Sequence, residues 1–154
     1  MVTIDFAALF MRSPNPYVLI DRELHIVAAN LAYLAVTESD LQHIIGRYIF
    51  DAFPNDPDDP NNESIRRLKE SFERVITTGQ SDAVPAVGFR VGADEDASNV
   101  RYWSATHTPL FDASGNVEYV LQHTVDITDI HLARERAADI TAANQAGAHV
   151  LRRA

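Results

Sequence analysis

The sequence predicts an α+β domain: one five-stranded antiparallel sheet with helices on one face, flanked by an N-terminal and a C-terminal helix. Three observations carry that expectation. Two strand-like runs stand early in the chain and three more follow in its second half. A long amphipathic helix and several short ones fill the space between. With 154 residues, 46% of them apolar and 23% charged, the chain is large enough for a single hydrophobic core. Helices confined to one face of a sheet leave room for a cavity between the two layers.

The elements follow in order. Ile4, Phe6, Leu9 and Phe10 recur at roughly helical spacing and predict a short amphipathic helix over Ile4–Met11. It ends before Ser13-Pro14-Asn15-Pro16, since residues preceding proline avoid the helical region. This cap helix, residues 1–14, leads into the body of the domain, residues 15–127. Tyr17–Ile20 and Leu24–Ala28 read as strands joined through Asp21-Arg22-Glu23, a link short enough for a hairpin. Asn30 can cap a short helix through Leu31 and Leu34. Thr37, with Asp40 three residues later, resembles a capping box before Leu41, Ile44 and Ile45, with Gly46 as the stop.

Pro54, Pro57 and Pro60 exclude regular structure between Phe53 and Asn62. The clearest helix follows, with Ile65, Leu68, Phe72, Val75 and Ile76 on one face and Gly79 at its end. Val84–Val91, Val100–Leu110 and Val117–Val125 are the three later strands, and Asp112-Ala113-Ser114-Gly115-Asn116 is the turn between the last two. From Thr128 the pattern becomes helical again, giving a terminal helix over residues 128–154.

Composition narrows the function. Twenty-two acidic against 13 basic side chains give a formal charge of −9, which opposes a broad footprint on nucleic acid or anionic lipid. The absence of cysteine removes disulfides, thiolate metal sites, cysteine nucleophiles and flavin–cysteinyl photochemistry together, and points to a cytoplasmic address. No run approaches the roughly 18 apolar residues of a membrane span, so no membrane insertion is expected. The acidic, mixed N-terminus does not read as a signal peptide, and without one the Asn62-Glu63-Ser64 sequon reads as chance.

Candidate chemistry is sparse. Asp56, Asp58, Asp59 and Glu63 suggest calcium, but Pro60, Asn61 and Arg67 fall at the fifth, sixth and twelfth loop positions, where an EF-hand requires other residues. The same carboxylates have no apolar wall to raise a pKa for acid–base work. Of the six histidines, His131 and His149 fall on the terminal helix too far apart to share a site, and His25 and His43 read as surface or partly packed. His107 and His123 fall on adjacent strands, and a metal site of the two requires both on one face. Alternation places Trp103, Ala105 and His107 together; Val120, Gln122 and Thr124 share one face of the last strand, and Leu121, His123 and Val125 the other. No nucleophile elbow, phosphate-cradling glycine loop or dinucleotide fingerprint is present. An enzyme reading, such as a small hydrolase or isomerase using the cavity, has only His107 as a candidate group.

Three motifs in sequence order carry a resemblance. They are Ala32-Tyr33-Leu34-Ala35-Val36-Thr37, then Gly46-Arg47 running on to Phe50-Asp51-Ala52-Phe53-Pro54-Asn55-Asp56-Pro57-Asp58-Asp59-Pro60, and finally Arg101-Tyr102-Trp103-Ser104. The last strand ends Val125-Asp126-Ile127-Thr128-Asp129, after Pro109-Leu110-x-Asp112-x-x-Gly115. Over about Phe6–Asp129 the chain resembles a PAS domain, and within that family the sensory PAS modules found at the N-terminus of bacterial histidine kinases.

That resemblance implies a non-catalytic sensory module with a ligand pocket between the sheet and the central long helix. Trp103, Ala105, His107, Val120, Gln122 and Thr124 would point inward, and Phe53, Leu68 and Phe72 would close the pocket from the helical side. The same positions equally suit ordinary core packing. Members of the subgroup usually carry Asn where His107 stands and His where Gln122 stands, which implies that His107→Asn is tolerated. No cofactor is assigned. Haem-binding relatives use a His on the long helix, and Asn61–Gly79 holds no His, Cys or Met. A redox flavin held by Trp103 and polar amides is the alternative; otherwise an unidentified small molecule is the expected ligand.

Asp126 and Thr128, at the junction of last strand and terminal helix, are the implied signal relay, with Thr128 as a helix N-cap. The helix offers Ile130, Ala133, Ala137, Ile140, Asn144, Gly147 and Leu151 as a weak heptad-like seam. The expected partners are therefore a second copy of the chain, packed through the terminal helices, and an output domain such as a histidine kinase in a two-component system.

Overall fold

The first strand, β1 (Tyr17–Asp21), sets the frame. Val18 and Ile20 are wholly buried while Tyr17, Leu19 and Asp21 are only partly covered, the alternation expected of a strand with one face on a core. This computed structural model describes residues 2–54, 62–90 and 100–153. Around β1 lie α1 (Phe6–Arg12), β2 (Ile26–Ala29), α2 (Leu31–Val36), α3 (Leu41–Ile44), α4 (Ile49–Ala52), α5 (Glu63–Thr78), β3 (Asp82–Arg90), β4 (Val100–Phe111), β5 (Val117–Asp126) and α6 (Thr128–Arg153). The five strands form one antiparallel sheet in the order β2-β1-β5-β4-β3. The fold is α+β, as the sequence predicts.

Asn30 explains how the N-terminal pieces meet. Its Oδ1 accepts from the backbone N–H of Tyr33 at 3.0 Å, capping α2, and from that of Tyr17 at 2.9 Å. Its Nδ2 donates to the carbonyls of Phe10 at 3.0 Å and Asn15 at 2.7 Å. One buried amide thus satisfies groups from α1, the proline-rich link, β1 and α2. The N-cap role is the one read from the sequence; the other three bonds are not legible there.

Four local expectations are corrected. The hairpin strand begins at Ile26, because Leu24 turns left-handed (φ 66°) into the core while the Asp21 carboxylate accepts from Glu23 and His25 N–H. No capping box joins Thr37 to Asp40. Thr37 ends α2, its hydroxyl donating back to the Tyr33 carbonyl at 2.7 Å, and the Asp40 side chain makes no capping bond. The first helix begins at Phe6, where Asp5 accepts from Ala8 N–H at 3.0 Å, and none of its residues is buried. β3 starts earlier than expected, at Asp82, and bulges between Val84 and Val87. Pro85 has no N–H to offer the ladder and Ala86 adopts φ 53°, so Val84 and Val87 both face the core despite their odd spacing. Arg67 on α5 donates to the carbonyls of Pro85 and Ala86 and holds the bulge in place. Val91, the last residue expected in this strand, lies outside the described residues.

Leu68, Ser71, Phe72 and Val75 form the buried stripe of α5 and lie over the sheet. Gly79 closes that helix at φ 67°, donating its N–H to the Val75 carbonyl. The β4–β5 turn is built on Asp112, whose carboxylate accepts from Ser114 and Asn116 N–H.

Candidate functional site

The β4–β5 register decides which side chains meet under α5. Trp103 pairs with Asp126, Ala105 with Thr124, His107 with Gln122 and Pro109 with Val120. Trp103, Ala105, His107, Val120, Gln122 and Thr124 are all buried on the inner face. His123 pairs with Thr106 and stands on the outer face against the Tyr17 ring, 5.2 Å away between centroids. His107 and His123 therefore lie on opposite sides of the sheet and do not form a metal pair.

A cavity of about 60 Å³ lies between α5, the short helices and the sheet. Of the sequence-derived candidates, Phe53, Leu68, Trp103, Ala105, Gln122 and Thr124 line it; Phe72, His107 and Val120 are buried but off its wall. Thr37, Ile49, Phe50, Val87 and Phe89 also line it and were not singled out by sequence. Val87 and Phe89 gain that position through the β3 bulge, whereas the short apolar run Ile49–Phe50 carried a legible signal. Among the described residues the wall is apolar but for Thr37, Gln122 and Thr124. One of them, Thr124 Oγ1, is buried with no hydrogen-bond partner among the described residues.

Behind the wall runs a polar chain. The Ser71 hydroxyl donates to Asp82 Oδ2 at 2.6 Å, and Arg74 donates to the same oxygen at 2.8 Å. His107 Nδ1 lies 2.7 Å from Ser71 Oγ, and His107 Nε2 lies 2.9 Å from Gln122 Nε2. The imidazole is fully buried and stacked on Phe72, with centroids 4.0 Å apart. Burial pushes the imidazole down to about 4, with Asp82 opposing the shift and Arg74 adding to it. The bonds from Ser71 and then Arg74 hold the Asp82 carboxyl below its ordinary range. The ring is thus neutral near pH 7. Sequence pattern missed Ser71 and Asp82; a small polar residue inside the buried stripe of α5 was the available signal.

At the far end of β5, Asp126 Oδ1 accepts from the Thr128 N–H at 2.9 Å and from its hydroxyl at 2.6 Å. Thr128 Oγ1 accepts from the Tyr102 N–H on β4 at 3.0 Å. Thr128 therefore does not cap its own helix; Asp126 meets the first N–H of α6, and the Thr128 hydroxyl ties that helix to β4. Ile127 N–H also donates to the Tyr102 carbonyl, and the Tyr102 ring stacks on His131 at 4.1 Å. Beyond this junction Ile130, Leu132 and Ile140 are exposed. The side chains of His149 and Leu151 lie outside the described part of the structure, as do Asp56, Asp58 and Asp59. Glu63, the fourth carboxylate of that group, is paired with Arg66. His25 and His43 are exposed. No helix among the described residues is long and apolar enough to cross a membrane.

Comparison with known proteins agrees with this geometry. The sensory box histidine kinase of Vibrio cholerae superposes with a TM-score of 0.53 at 18% identity, over 80% of this chain and 88% of that one. The PAS domain of Bordetella pertussis BvgS gives 0.60 at 18% identity, over 90% and 95% of the two chains. The PAS domain of nitrogen regulation protein NR(II) from Vibrio parahaemolyticus gives 0.57 at 16% identity, over 81% and 100%. Identities at this level establish a shared fold. No curated protein matches the sequence significantly. Residues 10–132 match the family described as PAS fold, and with the sheet order, the α5-covered face and the strand-to-helix junction in place, the chain belongs to the PAS-fold family.

Proposed function

We propose that this PAS domain is a non-catalytic sensor that takes a small molecule into the α5–sheet cavity and reports it through α6 to an output domain such as a histidine kinase. One observation carries the reading: the cavity wall and the α6 anchor share one short piece of sheet. Ala105 and Thr124 line the cavity as paired residues, and two positions further along the same two strands Trp103 pairs with Asp126, beside the Tyr102–Thr128 bond. A molecule that spreads β4 from β5 at Ala105–Thr124 would act directly on the bonds that hold α6. The sensor histidine kinase among the structural neighbours supports an output of that class.

A catalytic role is disfavoured by access, since His107 and Ser71 stand behind the wall and the Ser71 hydroxyl is directed to Asp82. A cavity of about 60 Å³ supports a small molecule over a three-ring flavin or a haem as the ligand in this reading. The reading further includes a cytoplasmic homodimer joined through α1 and α6, whose exposed Phe6, Leu9, Ile130 and Ile140 offer apolar contact area.

Native mass spectrometry of the purified chain tests both parts. A dimer carrying excess mass per chain supports the reading. A monomer without excess mass, and with no mass gained on screening small organic molecules, contradicts it.

A further inference from the structure

The polar chain behind the cavity settles which hydrogen-bonding face Gln122 shows. Ionised Asp82 can only accept, so the single Ser71 hydroxyl hydrogen goes to it, at 2.6 Å. Ser71 Oγ then has only a lone pair for His107 Nδ1, 2.7 Å away, so Nδ1 must carry the imidazole proton. In a neutral ring the other nitrogen, Nε2, is an acceptor, and Gln122 meets it at 2.9 Å with its amide Nε2–H. That orientation leaves the carboxamide oxygen of Gln122 as the acceptor for whatever enters the cavity that Gln122 lines. Two residues along β5, Thr124 also lines the wall, its hydroxyl buried and without a hydrogen-bond partner among the described residues.

We propose that Asp82, Ser71 and His107 act as positioning residues that lock Gln122 with its oxygen toward the cavity, so that the site selects a small uncharged molecule bearing a hydroxyl on an apolar body. The ligand hydroxyl donates to Gln122 Oε1, the acceptor that this orientation turns toward the cavity. Leu68, Phe50 and Trp103 receive the apolar part. A ketone of the same shape has no proton to give and leaves the Gln122 oxygen without a donor. A charged ligand finds no counter-ion among the described residues of the wall and forfeits its hydration. The volume of about 60 Å³ is several times the roughly 10–15 Å³ one water occupies on this measure, which suits a body of a few carbon atoms. This inference rests on the cavity being a ligand site, and its test separates the two claims.

Trp103 is the only tryptophan in the chain and lines the cavity, so its fluorescence reports occupancy alongside amide chemical shifts. The purified full chain would be titrated with xenon, 2-butanol, 2-butanone and 2-butylammonium. The expected result is xenon binding, 2-butanol binding on the order of tenfold tighter than 2-butanone, and no binding of the cation. Ser71→Ala, which frees the imidazole to exchange tautomers, should keep xenon binding and bring the alcohol-to-ketone ratio close to one. Long-range proton–nitrogen spectra of the His107 ring should show the proton on Nδ1 in the wild type and a mixture in the variant. Should Ser71→Ala fail to fold, Gln122→Leu gives the same comparison of ratios. Xenon binding with equal affinity for alcohol and ketone, or a proton found on Nε2, overturns the polarity lock and leaves the cavity reading standing. Absence of xenon binding overturns both.

Discussion

The hydroxyl of Thr128, the first residue of α6, holds the backbone N–H of Tyr102 on β4 at 3.0 Å while donating to Asp126 on β5 at 2.6 Å. The terminal helix is thereby fastened to two of the strands that wall the cavity, β4 and β5. Val has nearly the shape of Thr without the hydroxyl. Thr128→Val should cost about 1–3 kcal/mol, because it leaves the Tyr102 N–H without this acceptor at a largely buried position. Urea unfolding measures the loss, and faster amide exchange at Tyr102 locates it. Unchanged exchange there would show that the bond does not hold the junction.

Asn30 should prove one of the most sensitive polar positions. Asn30→Ala removes four hydrogen bonds from a fully buried site, and a loss of about 3–5 kcal/mol is expected. Asn30→Asp keeps the acceptor for Tyr17 and Tyr33 but sets a carboxylate against the carbonyls of Phe10 and Asn15, so it should not rescue stability. Denaturant midpoints of the two variants check the ordering.

Stability should rise with pH across a window set by His107. Its pKa falls from 6.5 in the unfolded chain to about 4 in the fold. Between those values the unfolded chain binds a proton that the folded chain does not, so acidification favours unfolding. The contribution is fully present above about pH 6.5 and declines as pH falls, and the loss reaches roughly 2–4 kcal/mol by pH 4. Replacing His107 with Asn should flatten that slope, as measured by urea unfolding at a series of pH values.

The dimer reading predicts that a charge on the exposed apolar face of either terminal helix weakens self-association. Phe6 is 73% exposed and Ile140 is 62% exposed, so Phe6→Glu and Ile140→Glu should leave the fold intact. Both should shift sedimentation from dimer to monomer. A wild-type chain that sediments as a monomer at micromolar concentration contradicts the reading.

Much of the fold was legible because its determinants are local. Strand alternation in β4 and β5, the apolar stripe of α5 and the Asp112 turn each follow from a few neighbouring residues. The misread pieces depend on distant partners. Leu24 turns into the core in a left-handed conformation, and the β3 bulge is clamped by Arg67 from α5. The inward-facing residues of the site were readable from alternation, yet His107 proved to stand behind the cavity wall, because Ser71 and Asp82 draw its ring toward α5 and β3. The resemblance to relatives with Asn at that position implies tolerance of His107→Asn. The observed ring, bonded at both nitrogens and stacked on Phe72, predicts instead a loss of about 2–4 kcal/mol.

Occupancy of the cavity should be felt at the root of α6. Amide spectra of the purified chain under xenon pressure test it directly, since xenon reports the cavity whatever its polarity. Shifts at Ala105 and Thr124 accompanied by shifts or altered exchange at Tyr102, Thr128 and Ile130 are the predicted result. Perturbation confined to the cavity wall, with Tyr102 and the first turn of α6 unchanged, would show that the cavity and α6 are not coupled.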